Sequence, residues 1–313
     1  MPRPSIRSII RKVADPILQP FARHILYSHG VPRRLDTRES AHRNFAGLYL
    51  RSLYPELAHP AACKTELNRH ELSSYSNCGE DGILMYLFSK IGVTDRRAIE
   101  FGIEDGTECN AANLIFNFGF SGLLIDGDTT NVAYANAFYE SILQEEAKRA
   151  RIVQSWITTD NINQLFEQNG YTGEIDLLSI DIDGNDYWVW DSITVVQPRL
   201  VVIEYNSIFG PKRSITIPYQ PDFNRWEAHP SGLYCGASLK ALTKLGEARG
   251  YVLVGGESAG MNAFFVREDV LAKTDIPAAS IDEAYFAIDN QIRRGQSIEK
   301  QFGDISGLPF VEI

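Results

Sequence analysis

The sequence predicts an α/β protein built on a doubly wound, mostly parallel sheet that closes with an antiparallel hairpin. Three observations predict it. From about residue 98 onward, short apolar runs alternate with stretches of helical period, the pattern of βαβ units. Four of those runs end on acid, at Glu100, Asp126, Asp181 and Glu204, and the carboxyl ends of parallel strands share one edge of a sheet. The last two runs, 251–254 and 262–266, are joined by the glycine-rich stretch 255–260, too short for a parallel crossover and suited to a hairpin.

Each element has a local reason. The helical spacing from Ile83 to Ile91 predicts a helix with Glu80 and Asp81 in its first turn, where carboxylates favour the helix dipole. Strands are expected near 98–101, 122–126, 151–156, 175–181 and 199–204, with helices near 109–118, 130–149, 160–168, 186–193 and 237–249. Gly250 is placed to cap the last helix. With the closing pair this gives seven strands. The segment 205–235 breaks the rhythm with four prolines and six aromatics. A loop of that length is usually functional, and it follows the fourth acid-ended strand, so it is expected to fold over the same edge as a lid. The alternative is a surface excursion with its own small core. Three parts follow: a basic arm and helical extension over 1–69, a main domain over 70–267 containing the insertion 205–235, and a helical tail over 268–313.

Composition narrows the function. The chain has 313 residues and a formal net charge of −10, which argues against nucleic acid as a partner. The charge is uneven: residues 1–43 carry nine Lys/Arg against three Asp/Glu. Ile6, Ile9, Ile10 and Val13 fall at helical spacing there, so the arm could meet a membrane surface or a partner. No run is long enough to span a membrane, no signal-peptide core is visible, and the four cysteines show no paired spacing. A cytoplasmic location is expected.

The turn Glu100-Phe101-Gly102-Ile103-Glu104-Asp105-Gly106 follows the first strand. A dinucleotide site would place glycine at Glu104 so that the backbone could approach a pyrophosphate. A carboxylate there suits a nucleoside without phosphates that carries a positive centre, and S-adenosyl-L-methionine is such a ligand. Asp126 ends the next strand, where it could accept both ribose hydroxyls; Trp156 and Ile157, after the third strand, could flank the adenine.

Three segments carry a family resemblance: Ser76-Asn77-Cys78-Gly79-Glu80-Asp81-Gly82, the Glu100–Gly106 turn, and Asp176–Asn185 with its Asp181-Ile182-Asp183-Gly184 core. Together they resemble the FkbM-type S-adenosylmethionine-dependent methyltransferases over roughly residues 70–267. Asn77, Glu100, Glu104 and Asp183 stand where that family often has Gln, Asp, Asn and Glu. The resemblance implies the class I methyltransferase (Rossmann-like) fold and O-methyl transfer to sugars or other small natural-product hydroxyls. It implies that Gly102, Asp126 and Asp181 line the cofactor and reaction edge, with Glu80 and Asp81 near the cofactor's methionine end; Glu100 and Glu104 of the same turn are further cofactor-binding candidates.

Methyl transfer needs a hydroxyl oxygen brought in line with the sulfonium methyl and stripped of its proton. Asp181, Glu204 and Asn206 end adjacent strands and, with Asp183, form a set of hard oxygen ligands suited to Mg²⁺. His229 in the expected lid is the candidate imidazole base. Two other enzyme readings compete. Asp126-Gly127-Asp128 imitates the metal-binding pair of a glycosyltransferase, and Asp181-Ile182-Asp183-Gly184 imitates a haloacid-dehalogenase-type phosphatase loop. A non-catalytic, methyltransferase-like module that binds partners is the third alternative.

Overall fold

The computed structural model describes residues 63–288 and 297–313. The amphipathic stretch at 4–13 and nearly all of the basic arm lie outside the described residues. The five apolar runs become parallel strands: β1 (Arg97–Phe101), β2 (Ser121–Asp126), β3 (Ala150–Gln154), β4 (Gly173–Ile180) and β5 (Val196–Glu204). They join β7 (Tyr251–Gly256) and β8 (Asn262–Arg267) in one seven-stranded sheet, ordered β3-β2-β1-β4-β5-β8-β7. Strand β8 runs antiparallel to both β5 and β7, so the expected hairpin closes the sheet. This is the doubly wound, mostly parallel Rossmann-like sheet with a terminal antiparallel hairpin that the sequence led us to expect. The order reverses between β1 and β4, which is where an open α/β sheet gapes at its carboxyl edge.

The central strands are apolar on both faces because both faces are covered. Ile99, Leu123, Leu178 and Val201 pack into one cluster with Phe166, Trp190 and Leu242. Their chain neighbours Ala98, Leu124, Leu177 and Val202 face the other side, with Ile83, Leu84 and Leu114. The covering helices are α1 (Glu80–Ile91), α2 (Ala112–Asn117), α3 (Thr129–Leu143), α4 (Ile162–Gln168), α5 (Asp186–Ser192) and α7 (Leu239–Ala248), with the short α6 (Arg225–Ala228) in the expected lid. Gly250 follows α7 with φ +78, the left-handed cap its position implied. The helix expected over 130–149 is shorter: Gln144 takes φ +51 and the rest continues as a 3-10 helix.

The segment 205–235 has a small core of its own. Ile208, Phe209, Ile215, Ile217, Phe223 and Tyr234 pack with Ile305 and Phe310 of the chain's last residues. Its short strand β6 (Ile215–Thr216) pairs with β9 (Val311–Glu312). The tail is therefore not wholly helical: besides α8 (Glu268–Leu271), α9 (Ile281–Ala284) and α10 (Ile298–Ile305) it supplies this strand. Among the described residues no helix is long and apolar enough to cross a membrane, and all four cysteines are free.

One buried ion pair fixes the start of the sheet. Asp176 is fully buried in β4 and accepts the backbone N–H groups of Thr94, Asp95 and Arg96 at 2.7–3.2 Å, ordering the turn that launches β1. The Arg199 guanidinium, 3.0 Å from the same carboxylate, also donates to the carbonyls of Ile91 and Gly92 behind α1. Removing one partner strands a buried charge. Asp176→Ala is expected to lose about 3–5 kcal/mol in urea unfolding monitored by circular dichroism.

Candidate functional site

A cleft of about 490 Å³ opens at the carboxyl edge, bordered by the ends of β1, β2, β4 and β5 and the first residues of β8. Each strand delivers its acid to this edge, but the acids do different work. Glu100 is buried and accepts the backbone N–H groups of Asn110 and Ala111 at 2.8 and 2.7 Å, just ahead of α2. Burial pushes its carboxyl up to about 7, while these two donors favour the charged form. Asp126 accepts from the backbone N–H groups of Glu104 and Asp128 and from the Asn131 amide, at 2.8, 2.8 and 3.2 Å. It still lines the cleft.

Backbone conformation in the first turn follows from close approach. Gly102 has φ +76, and a Cβ on it would fall 1.5 Å from the Asp181 carbonyl oxygen. Glycine is required there because the end of β4 lies against it. The approach is to protein backbone, whereas the sequence suggested approach to a cofactor. Glu104 adopts φ +48, the left-handed conformation that glycine holds without cost, while its carboxylate-bearing side chain is exposed at the cleft. Trp156 is half exposed beside Gly127 and gives its indole N–H to the Pro221 carbonyl at 2.7 Å; Ile157 is buried next to it.

The floor between β4 and β5 holds the densest charge. Single oxygens of Asp181, Asp183 and Glu204 lie within 4.8 Å of one another. Asp181 and Glu204 lie side by side on this floor, and both carboxyls are pushed well above the ordinary range. Removal from water is the leading cause for each, followed for Asp181 by the charge of Asp183 and for Glu204 by that of Asp181. Asp183 sits at φ +56 and is ion-paired with Arg225 at the start of α6. Asp186, fully buried, shapes this loop by accepting from the backbone N–H groups of Ile182 and Gly184 at 2.8 and 2.9 Å.

Three expected site residues fall elsewhere. Asp81 is buried and binds the backbone N–H groups of Ser74, Tyr75 and Ser76 at 2.7–2.9 Å, so it braces the loop before α1 and does not line the cleft. Asn206 spends its amide N–H groups on the Leu233 and Cys235 carbonyls and its oxygen on the Ile208 N–H. It ties the 205–235 segment together and is removed from the ligand set. His229 is outside the cleft lining, and its Nδ1 meets Ser231 at 2.7 Å, which leaves it no access to a reacting hydroxyl. Glu80, Glu100, Gly102, Glu104, Asp126, Trp156, Ile157, Asp181, Asp183 and Glu204 are brought together.

Sequence reasoning missed Arg225 and Phe223, which the 205–235 segment contributes to the cleft alongside Trp226, and Asn262, Cys78 and Met261 at its far end. Neither Arg225 nor Asn262 belongs to a spaced motif. The only signal for Asn262 was its position, a polar residue opening an apolar strand. The Glu257 carboxylate sets that position by accepting from the backbone N–H groups of Ala259, Gly260, Met261 and Asn262. The cleft lining as a whole contains nine carboxylates and one cation, Arg225.

No family model matches the chain, and no curated protein does. Solved structures with a similar fold include the methyltransferase domain of bacterial-CtHen1-C, 14% identical with a TM-score of 0.40 over 60% of this chain and 96% of that one. An O-methyltransferase from Bacillus cereus, in complex with SAH, is 13% identical with a TM-score of 0.39 over 69% and 95%. Magnesium protoporphyrin IX methyltransferase from Synechocystis PCC 6803, with bound SAM, is 11% identical with a TM-score of 0.38 over 60% and 77%. At these identities the likeness assigns no residue a role.

Proposed function

We propose that the chain is an S-adenosylmethionine-dependent O-methyltransferase acting on a hydroxyl of a sugar, polysaccharide or other small natural product. The observation that carries this reading is the use Glu100 makes of the chain ahead of α2. In a dinucleotide site the backbone N–H groups at that strand-to-helix turn hold the pyrophosphate. Here the Glu100 carboxylate takes those of Asn110 and Ala111, and Asp126 takes that of Glu104. A cleft whose backbone donors are already bound, and whose side chains are nine acids to one Arg, repels a diphosphate and favours a cationic nucleoside. The competing Asp-x-Asp readings lose support on the same ground. Asp128 spends its Oδ1 capping α3 through Thr130 and Asn131, and no lysine lines the cleft to meet a phosphoryl group.

In this reading Asp126 receives the ribose hydroxyls, with Trp156 and Ile157 beside the adenine. Asp181 and Glu204 meet the acceptor hydroxyl, and the pair takes its proton as the oxygen attacks. Trp226, 65% exposed at the rim, offers an indole face to a sugar ring. Asp181, Asp183 and Glu204 are hard oxygen donors close enough together to hold a divalent cation. Such a cation would lower the pKa of a bound hydroxyl.

Three outcomes are expected. Asp126→Ala loses S-adenosylhomocysteine binding in a calorimetric titration; an unchanged isotherm would remove the ribose assignment. Turnover rises with pH through the raised pKa of the Asp181–Glu204 pair, because the working form has lost the shared proton. Glu204→Gln lowers kcat by about 10²–10⁴-fold and leaves S-adenosylhomocysteine bound, whereas an unaltered pH–rate profile would place the base elsewhere. The metal-assisted alternative predicts instead that excess chelator suppresses turnover and added Mg²⁺ restores it, because a cation on these carboxylates displaces their proton; full activity in chelator would eliminate the cation.

A further inference from the structure

Between β6 and α6 the chain runs through residues 217–224, which belong to no strand or helix. Pro218 and Pro221 leave this loop without two backbone donors. Side chains hold it from the other side of the cleft. The Asn185 amide donates to the Gln220 carbonyl at 2.7 Å, and the Trp156 indole N–H to the Pro221 carbonyl at 2.7 Å. The Thr159 N–H meets the Tyr219 hydroxyl at 3.2 Å. Just beyond, Phe223 lies over Gly184, where a Cβ would come 2.3 Å from its ring, and Arg225 reaches Asp183. Where this loop sits therefore decides what covers the acid floor.

Trp156 differs from the other holds. Its ring is 53% exposed and lines the cleft, whereas Asn185 is buried and two strands away from Asp126. The base of Trp156 is fixed, because the Asn161 amide donates to its carbonyl at 2.8 Å. Its six-membered ring lies on Gly127, so close that a Cβ there would fall 2.8 Å from Cε3. Gly127 directly follows Asp126, the residue given to the ribose. One side chain thus borders the place of the adenine and donates to the acceptor segment. Its hydrogen bond to Pro221 is exposed, and such a bond, competing with water, is weak by itself. A flat ring stacked on the open indole removes the freedom by which that bond is lost.

We propose that Trp156 is a positioning residue that couples the two substrates: a purine stacked on its indole keeps the N–H on Pro221 and so seats the loop 217–224 over the acid floor. This rests on the methyltransferase reading above and goes beyond it by setting the order of binding, donor before acceptor. The coupling is reciprocal, so an acceptor that fastens the loop also tightens the donor.

Hydrogen exchange reads the loop without an acceptor. Its reporting amides include Gln220, whose N–H meets the Asn185 side chain at 3.4 Å, and Phe223, whose N–H donates to the Gln220 carbonyl at 3.1 Å. In the full chain, S-adenosylhomocysteine should slow exchange across 217–226 by about 5–20-fold, the size of an ordinary coupling. 5′-Methylthioadenosine, which keeps the purine, should do the same. Trp156→Phe keeps a ring to stack on and loses the N–H. It should still bind both probes in calorimetry and show no slowing. If that variant folds or binds too poorly, Trp156→benzothienylalanine, with sulfur in place of the N–H, gives the same reading with the stacking surface intact. Asn185→Ala should speed exchange with and without ligand yet keep the slowing, as a purely structural tie would. Bound S-adenosylhomocysteine with unchanged loop exchange in wild type would overturn the inference, as would slowing that survives loss of the indole N–H. Wild type that binds neither probe would instead bring down the methyl-donor reading, and this coupling with it.

Discussion

Carboxylates that gather backbone N–H groups are the interaction on which this fold depends. Asp81 collects three, from Ser74 to Ser76. Asp176 collects three, from Thr94 to Arg96. Glu257 collects four, from Ala259 to Asn262. Glu100, Asp126 and Asp186 each hold two. A loop at a sheet edge has backbone donors that neither a helix nor a ladder satisfies, and leaving them unpaired inside the protein is expensive. One carboxylate has about four acceptor sites and can order a whole turn. The loops after β1, β2 and β4 and the β7–β8 turn use this device, so they are held by their own acids without needing a ligand to organise them.

The device also decides what the cleft can recognise. Backbone N–H groups bound by protein carboxylates cannot cradle phosphate, so anion recognition at the switch point is closed off. The acids themselves remain at the edge with lone pairs to spare. Such a rim is a costly thing to keep, and a positive ligand or a shared proton relieves it. The Asp181–Glu204 pair is the extreme case, two carboxyls pushed well above the ordinary range by burial and by neighbouring acids, with Arg225 drawing off the charge of Asp183.

The fold was legible because its strands are buried on both faces and read as unbroken apolar runs, and because 255–260 is too short for anything but a hairpin. The position of the site was legible too, since Glu100, Asp126, Asp181 and Glu204 end neighbouring strands. What residue type could not disclose was where each carboxylate's lone pairs go. Asp81 and Glu80 are adjacent in sequence, yet the first serves only its own loop while the second faces the cleft. Asn206 and His229 were placed by their nearness to strand β5 and to the expected lid. The path of 205–235 turns both away, because that segment packs on Phe302 and Phe310 far along the chain, a contact with no local signature. Arg225 reaches the floor for the same reason.

The two sides of the cleft consequently rest on different supports. The side that the proposed function gives to the donor is the sheet edge, its loops tied to strands by buried acids, and its geometry is coupled to the stability of the whole sheet. The acceptor side, with Phe223, Arg225 and Trp226, belongs to a segment with a separate apolar core, joined to the chain's last residues by β6 and β9. Its links to the sheet-edge side include Arg225 to Asp183, the Asn185 amide to the Gln220 carbonyl at 2.7 Å, the Trp156 indole to Pro221, the Trp188 indole to the Ile217 carbonyl at 2.8 Å and the Thr159 N–H to the Tyr219 hydroxyl at 3.2 Å. The ion pair between Arg225 and Asp183 is where the two meet, because it sits on the acid floor itself. A change in the acceptor segment that withdrew Arg225 would return a full charge to Asp183 and raise the proton affinity of Asp181 and Glu204 beside it. In the proposed methyl transfer, acceptor binding and base strength are thus linked through one guanidinium.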